Sequence, residues 1–229
     1  MDIRYRHEWK HEIRYADLLA IRQRLRAVAV PDPHAVDGKY LIRSLYFDNL
    51  RDKALREKID GVDQREKFRI RYYNGDTSLI HLEKKSKLSG LESKFSDPMT
   101  AEEAQALLDG DLDWMMDPSR SLIQELYCKM RYQGLRPKTI VDYTREPFIY
   151  GPGNVRVTFD YNIRTGDLSY YRKLLPDGVH IPPQFLLSGK FKMAGDDMAV
   201  VVKVNMFDGF KKGLQEDECL TIRSEEHTS

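Results

Sequence analysis

Polar and apolar residues alternate one for one through several stretches of this chain, and the polar member is more often Arg or Lys than Ser or Thr. The clearest stretch is residues 64–73, where Arg65, Lys67, Arg69 and Arg71 fall on one side and Phe68, Ile70 and Tyr72 on the other. A period of two predicts a β-strand, because successive side chains point to opposite faces of a sheet. Residues 3–13 repeat the pattern with Arg4, Arg6, Glu8, Lys10 and Glu12 on one face. So do Tyr40–Asp48 (Ser44, Tyr46, Asp48), residues 79–87 (His81, Glu83, Lys85, Lys87) and residues 155–163 (Arg156, Thr158, Asp160, Asn162). Residues 139–148 carry Tyr143 and Arg145 on one face, and residues 198–204 read as a buried strand with Lys203 as its only charge. A strand at 91–96 carries Lys94.

Between the strands lie helical patterns. Residues 17–30 predict a helix stopped by Pro31 and Pro33, and residues 50–59 a short charged one capped by Asp48 or Asn49. Residues 100–108 open on a capping box, Thr100 with Glu103. Residues 118–133 are expected to start from Asp117 as N-cap and Pro118 at the first position, and to stop at Gly134. The stripe Leu122, Ile123, Leu126, Tyr127 and Met130 reads as core. Asn74-Gly75 suits a tight hairpin, and Gly151–Asn154 is a second turn. Residues 169–191 read as irregular, with Pro176, Pro182 and Pro183.

The 229 residues suit one large α+β domain. A formal net charge of +1 provides no whole-molecule field for nucleic acid, so any anion selectivity must be local. Cys128 and Cys219 have no metal-like spacing, the first residues form no signal peptide, and no run is long enough for a membrane span. A soluble cytoplasmic protein is expected. The alternating pattern leaves two arrangements open. One is an antiparallel β-barrel with helices packed outside and a charged interior. The other is an open sheet whose charged face meets water. The abundance of Arg and Lys suits phosphate oxygens, which Arg grips as a fork and Lys as a point charge. No P-loop, dinucleotide fingerprint, kinase set or nucleophilic triad is present, so an enzyme here would work by positioning and charge stabilisation.

The ordered series RHEWKHEI, SLYFDN, KFRIRYY, HLEKKSK, IVDYTREPF and VRVTFD resembles the bacterial members of the VTC domain family. That is the polyphosphate polymerase domain of the vacuolar transporter chaperone, within the triphosphate tunnel metalloenzyme superfamily. The resemblance covers about residues 3–205, within a domain set at residues 1–210. It implies an antiparallel tunnel barrel that moves the ATP γ-phosphoryl group onto a growing polyphosphate chain with manganese or magnesium. It casts Lys10, Arg69, Arg71, Lys85, Arg145 and Arg156 as catalytic, with Lys87 and Lys203 also binding phosphate. Glu8, Glu83 and Asp160 are the metal ligands it leaves available. Arg6 replaces the first Glu of the triphosphatase ExExK pattern, which favours the polymerase over a tunnel-type triphosphatase.

Val201 stands where the family's last strand carries a metal-binding Glu, and valine offers a hard cation no oxygen. That departure keeps a non-catalytic polyphosphate or inositol-phosphate binding module as an alternative. Residues 211–229 depart from the family. Residues 223–229 match the translated start of a common sequencing adapter, so an atypical tail, truncated or artefactual, is expected there.

Overall fold

The described part of each alternating stretch forms a strand in the computed structural model, which describes residues 6–89, 91–167, 192–193 and 200–207. The strands are β1 (Arg6–Ile13), β2 (Val30–Pro31), β3 (Tyr40–Asp48), β4 (Arg65–Tyr73), β5 (Asp76–Leu88), β6 (Leu91–Met99), β7 (Arg136–Tyr150), β8 (Val155–Asp167), β9 (Lys192–Met193) and β10 (Val200–Phe207). The helices are α1 (Tyr15–Leu25), α2 (Lys53–Ile59), α3 (Ala101–Asp109) and α4 (Ser121–Gln133). One antiparallel sheet runs β1-β10-β8-β7-β3-β4-β5-β6, with β2 added to β7 and β9 to β8.

The fold is thus α+β, as the pattern predicts. The expected closed barrel is not formed by its hydrogen bonds: among the described residues no ladder joins β1 to β6, although the two edges come within 8 Å at Cα. Pro98, which has no N–H to donate, sits in β6 and suits that strand to an edge.

Helices α1, α3 and α4 pack on one face. Leu45, Phe47, Phe68, Ile70 and Leu82 pack against Leu107 and Leu108 of α3 and Leu122, Ile123 and Leu126 of α4. The predicted α4 stripe is core, with Tyr127 and Met130 at its margin. A second cluster seats Leu18 of α1 on Phe148, Phe159, Val200 and Val202. On this covered face Arg22 pairs with Glu146 and Arg43 with Asp142, so charges that face the helices are matched. On the opposite face, where Asp48 meets the start of α2, Arg69, Arg71, Glu83 and Asp160 are 7%, 4%, 2% and 2% exposed. Because the edge strands β1 and β6 approach each other, the sheet curls, and the burial of these side chains places the charged face on the inside of the curl.

Local signals decide most boundaries. Asn74 (φ 53°) and Gly75 (φ 74°) both take left-handed backbone, the conformation a two-residue hairpin needs, and join β4 to β5. Thr100 caps α3 in the predicted box, Oγ1 accepting from Glu103 N and Glu103 Oε2 from Thr100 N. Asp48 Oδ1 and Oδ2 accept from Ala54 N and Leu55 N at the start of α2. Two expectations fail. Asp117 does not cap α4, because its Oδ1 accepts from Ser119 N and Oγ in a local turn and the helix starts at Ser121. Helix α1 stops at Leu25 rather than residue 30, because Val30-Pro31 pairs with Ile149 and Phe148 of β7. The stretch 169–191 and the tail 211–229 lie outside the described residues.

Candidate functional site

The buried cations of the concave face are held in two ion-pair groups. On β4, Arg69 and Arg71 are two residues apart and so point the same way. Register sets Arg69 between Tyr46 of β3 and Glu83 of β5, and Arg71 beside Ser44. Arg69 Nε donates to Glu83 Oε2 at 2.7 Å, Nη2 lies 2.5 Å from the same oxygen, and Nη1 donates to Tyr46 Oη at 2.9 Å. Arg71 Nε donates to Ser44 Oγ at 2.9 Å and Nη2 to Tyr143 Oη at 2.8 Å. Lys94 of β6 reaches Glu83 Oε1 at 2.5 Å. Burial alone would raise the Glu83 carboxyl, but Arg69, Arg71 and Lys94 outweigh it and hold it down at about 2.

The second group spans β7, β8 and β10. Arg145 forks onto Asp160, Nε to Oδ1 at 2.7 Å and Nη2 to Oδ2 at 2.8 Å, and Lys203 Nζ bonds Oδ2 as well. Burial would raise Asp160, but these two cations lower it below the usual carboxylate range. Tyr143 joins the groups: Arg145, Lys203 and Arg71 lie 5.3, 5.7 and 5.9 Å from its ring centroid, within cation–π reach. The two tyrosines diverge in their acidity. Tyr143 is raised, chiefly by burial, whereas Tyr46 falls to about 7 because Arg69, Arg71 and Lys67 overcome its burial.

The remaining sequence candidates surround these groups. Lys67, Lys85 and Lys94 are cross-strand partners in one row over β4, β5 and β6, and Arg65 pairs with Lys87 in the next. Like charges opposite one another are unfavourable without an anion or water between them. Lys10 of β1 is exposed and lies opposite Lys203. Arg156 is held apart by Asp32, Nη2 to Oδ2 at 2.8 Å, while its Nε is buried without an acceptor among the described residues. Two residues from Arg156 along β8, Thr158 Oγ1 is buried and likewise without a partner there. Glu8 lies on β1 opposite Asn205, but its side chain falls outside the described residues. Tyr46, Tyr143, Ser44 and Lys94 were absent from the predicted site, although all but Lys94 stand on polar faces that the alternation had marked. Asp32 carried no sequence signal, since it lies in the loop after β2.

The sequence itself matches a known family. The family model described as the VTC domain covers residues 5–205. The chain belongs to the VTC domain family. Among solved structures, this VTC domain is similar to a candidate adenylate cyclase of Bacillus halodurans, at 11% identity and a TM-score of 0.51, over 90% of this chain and 82% of that one. That likeness concerns fold. A candidate adenylate cyclase of Vibrio parahaemolyticus gives 10% identity and a TM-score of 0.45, over 95% and 80% of the two chains. A candidate adenylyl cyclase of Hippeastrum, described as having a dominant triphosphatase activity, gives 11% and 0.44, over 90% and 80%. No curated protein sequence matches.

Among the described residues, two of the acids that the resemblance offers to a divalent metal are paired with cations. Glu83 is already engaged by Arg69 and Lys94, and Asp160 by Arg145 and Lys203. In sheet order β4, β3 and β7 lie between the strands that carry them. Among the described residues no three His, Cys, Asp or Glu side chains group as a metal site. Val201 sits between Glu12 and Asp160 in register, so the strand that could bridge two carboxylates contributes a methyl pair instead.

Among the described residues no helix is long and apolar enough to cross a membrane.

Proposed function

We propose that this VTC domain is a polyphosphate polymerase, transferring the ATP γ-phosphoryl group to the end of a polyphosphate chain. A terminal phosphate oxygen of the chain forms the new P–O bond as the bond between the γ-phosphorus and the β-bridging oxygen breaks, and ADP leaves. Such a transfer needs little covalent help. It needs its reacting oxygens aligned and their negative charge matched by fixed donors.

The observation that carries the reading is the pairing of Arg69 with Arg71, buried in a concavity, Arg69 held to neighbours through Nε and both Nη atoms and Arg71 through Nε and Nη2. Guanidinium groups fixed this way lose little freedom when they meet phosphate oxygens. Arg145 and Lys203 supply a second such centre, and Lys10, Lys67, Lys85 and Lys87 extend cations along the face. Thr158 Oγ1 and Arg156 Nε add buried donors that a phosphate oxygen would satisfy.

Incubation with ATP and manganese, with polyphosphate resolved on a gel, tests this. The wild type is expected to make a ladder that Arg69→Ala/Arg71→Ala lacks. Phosphate release without a ladder replaces the polymerase by a triphosphatase.

The engagement of Glu83 and Asp160 by cations favours a second reading, a domain that binds oligophosphate without turning it over. Tripolyphosphate binding undiminished by chelator, together with no product from ATP, would select it.

A further inference from the structure

Tyr46 is an aromatic acid set among cations, and the transfer described above leaves it without a task. Its hydroxyl oxygen accepts from Arg69 Nη1 at 2.9 Å, and Arg69 Cζ and Lys67 Nζ lie 5.7 and 5.9 Å from its ring centroid. Ser44 and Tyr46 lie on one face of β3, opposite Arg71 and Arg69 in register. Glu83 has taken Arg69 Nε and Nη2, so the edge toward Tyr46 is the side of the guanidinium that a ligand oxygen could share.

We propose that Tyr46 is a positioning residue of the anion site, its phenol oxygen holding the Arg69 Nη1 donor until a phosphate oxygen takes that place. This rests on reading the concave face as a phosphate receptor. The exchange is a swap of acceptors. With no anion nearby, the positive field favours an oxygen on Tyr46 that has lost its proton. An anion at Arg69 cancels part of that field and returns the proton from solvent to the phenol. Tyr46 thereby keeps Arg69 aimed and partly neutralised, and it does not itself bond to phosphorus.

The charged and titratable groups facing Tyr46 are Lys67, Arg69 and Arg71 of β4, Glu83 of β5 behind Arg69, and Tyr143 of β7. Lys10 of β1 and Lys58 of α2 act on Lys67, whose own acidity is increased by burial and by Arg69, Lys10 and Lys58 against the pull of Tyr46. The phenol, brought to about 7, is therefore half ionised near neutral pH in the ligand-free protein. The direction of linkage follows. Anion binding takes up a proton, so rising pH above about 7 weakens it, by up to about tenfold per pH unit where the coupling is complete.

The probe is inorganic tripolyphosphate, bound to wild type and Tyr46→Phe from about pH 6 to 9 in buffers of differing ionisation enthalpy. The ligand's own titration, and that of Lys67, are common to both proteins, so the difference between them is read. Wild type is expected to take up close to one proton more per anion above neutral pH, and its affinity to fall relative to Tyr46→Phe. Ultraviolet difference absorbance of wild type alone provides a second measure: a tyrosinate signal that titrates near neutral pH and disappears when tripolyphosphate is added. Equal proton counts and parallel pH profiles, or no tyrosinate signal, overturn the role of Tyr46 and leave the phosphate reading intact. Failure of wild type to bind tripolyphosphate at any pH overturns the phosphate reading itself.

Discussion

Replacing Glu83 by Gln removes one negative charge from the most crowded part of the face and changes little else. The carboxylate is 3% exposed and touches Arg69 at 2.5 Å and Lys94 at 2.5 Å, with Arg71 Nη1 3.9 Å away. Its drop from 4.5 to about 2, at about 1.4 kcal/mol per tenfold change in proton affinity, corresponds to about 3 kcal/mol of stabilisation at neutral pH. Breaking a buried pair by removing one partner costs about 3–5 kcal/mol, because the remaining charge is stranded. Lys94 is 45% exposed and can turn to water, so the low end, about 3 kcal/mol, is expected.

Urea unfolding of wild type and Glu83→Gln at a series of pH values measures this. A carboxyl whose folded-state pKa is depressed stabilises fully above its unfolded value and loses that contribution as pH falls through the folded value. The stability gap should therefore be complete at neutral pH, narrow below about 4.5 and close toward 2. Tripolyphosphate should narrow the gap at neutral pH as well, since an anion among Arg69, Arg71 and Lys94 replaces the missing charge. A gap that ignores pH, or a variant as stable as wild type, would refute the claim that Glu83 balances these cations.

Arg145→Ala strands Asp160 beside Lys203 alone and is expected to cost about 3 kcal/mol in urea unfolding and to abolish the polyphosphate ladder. Val201→Glu places a third carboxylate in register between Glu12 and Asp160, and calorimetry should show manganese binding stronger than in wild type. Thr100→Ala removes the α3 cap, lowering stability by about 1 kcal/mol while leaving tripolyphosphate affinity unchanged.

Strand positions and the polarity of their faces were legible because alternation is a local property: one sequence suffices to say that Arg69, Arg71 and Glu83 look the same way. Register is not local. That Arg69 meets Glu83, and Arg145 meets Asp160, depends on hairpin geometry and on a bulge between Asp142 and Thr144, which the pattern does not encode. The same limit explains Asp32, which reaches Arg156 across 124 residues from a loop with no periodicity. Asp117 misled for a different reason. Its carboxylate could serve either a helix N-terminus or Ser119, and the nearer partner won. Tyr46 and Tyr143 were visible as polar-face residues, but their value as acceptors for two arginines appears only when β3, β4 and β7 lie side by side.

The same pairings bear on how the face treats metal and phosphate. A divalent cation on Glu83 would have to displace Arg69 and Lys94, and on Asp160 it would have to displace Arg145 and Lys203. Each displacement leaves a buried guanidinium without its counter-charge, a penalty of several kcal/mol that a bond to a single carboxylate must first overcome. A phosphate oxygen displaces no cation. It adds negative charge where cations gather and takes the place of an acceptor that can regain a proton from solvent, Tyr46 Oη at Arg69. The face is therefore built to gain an anion more readily than a cation. Within it, the carboxylates of Glu83 and Asp160 hold Arg69 and Arg145 in place.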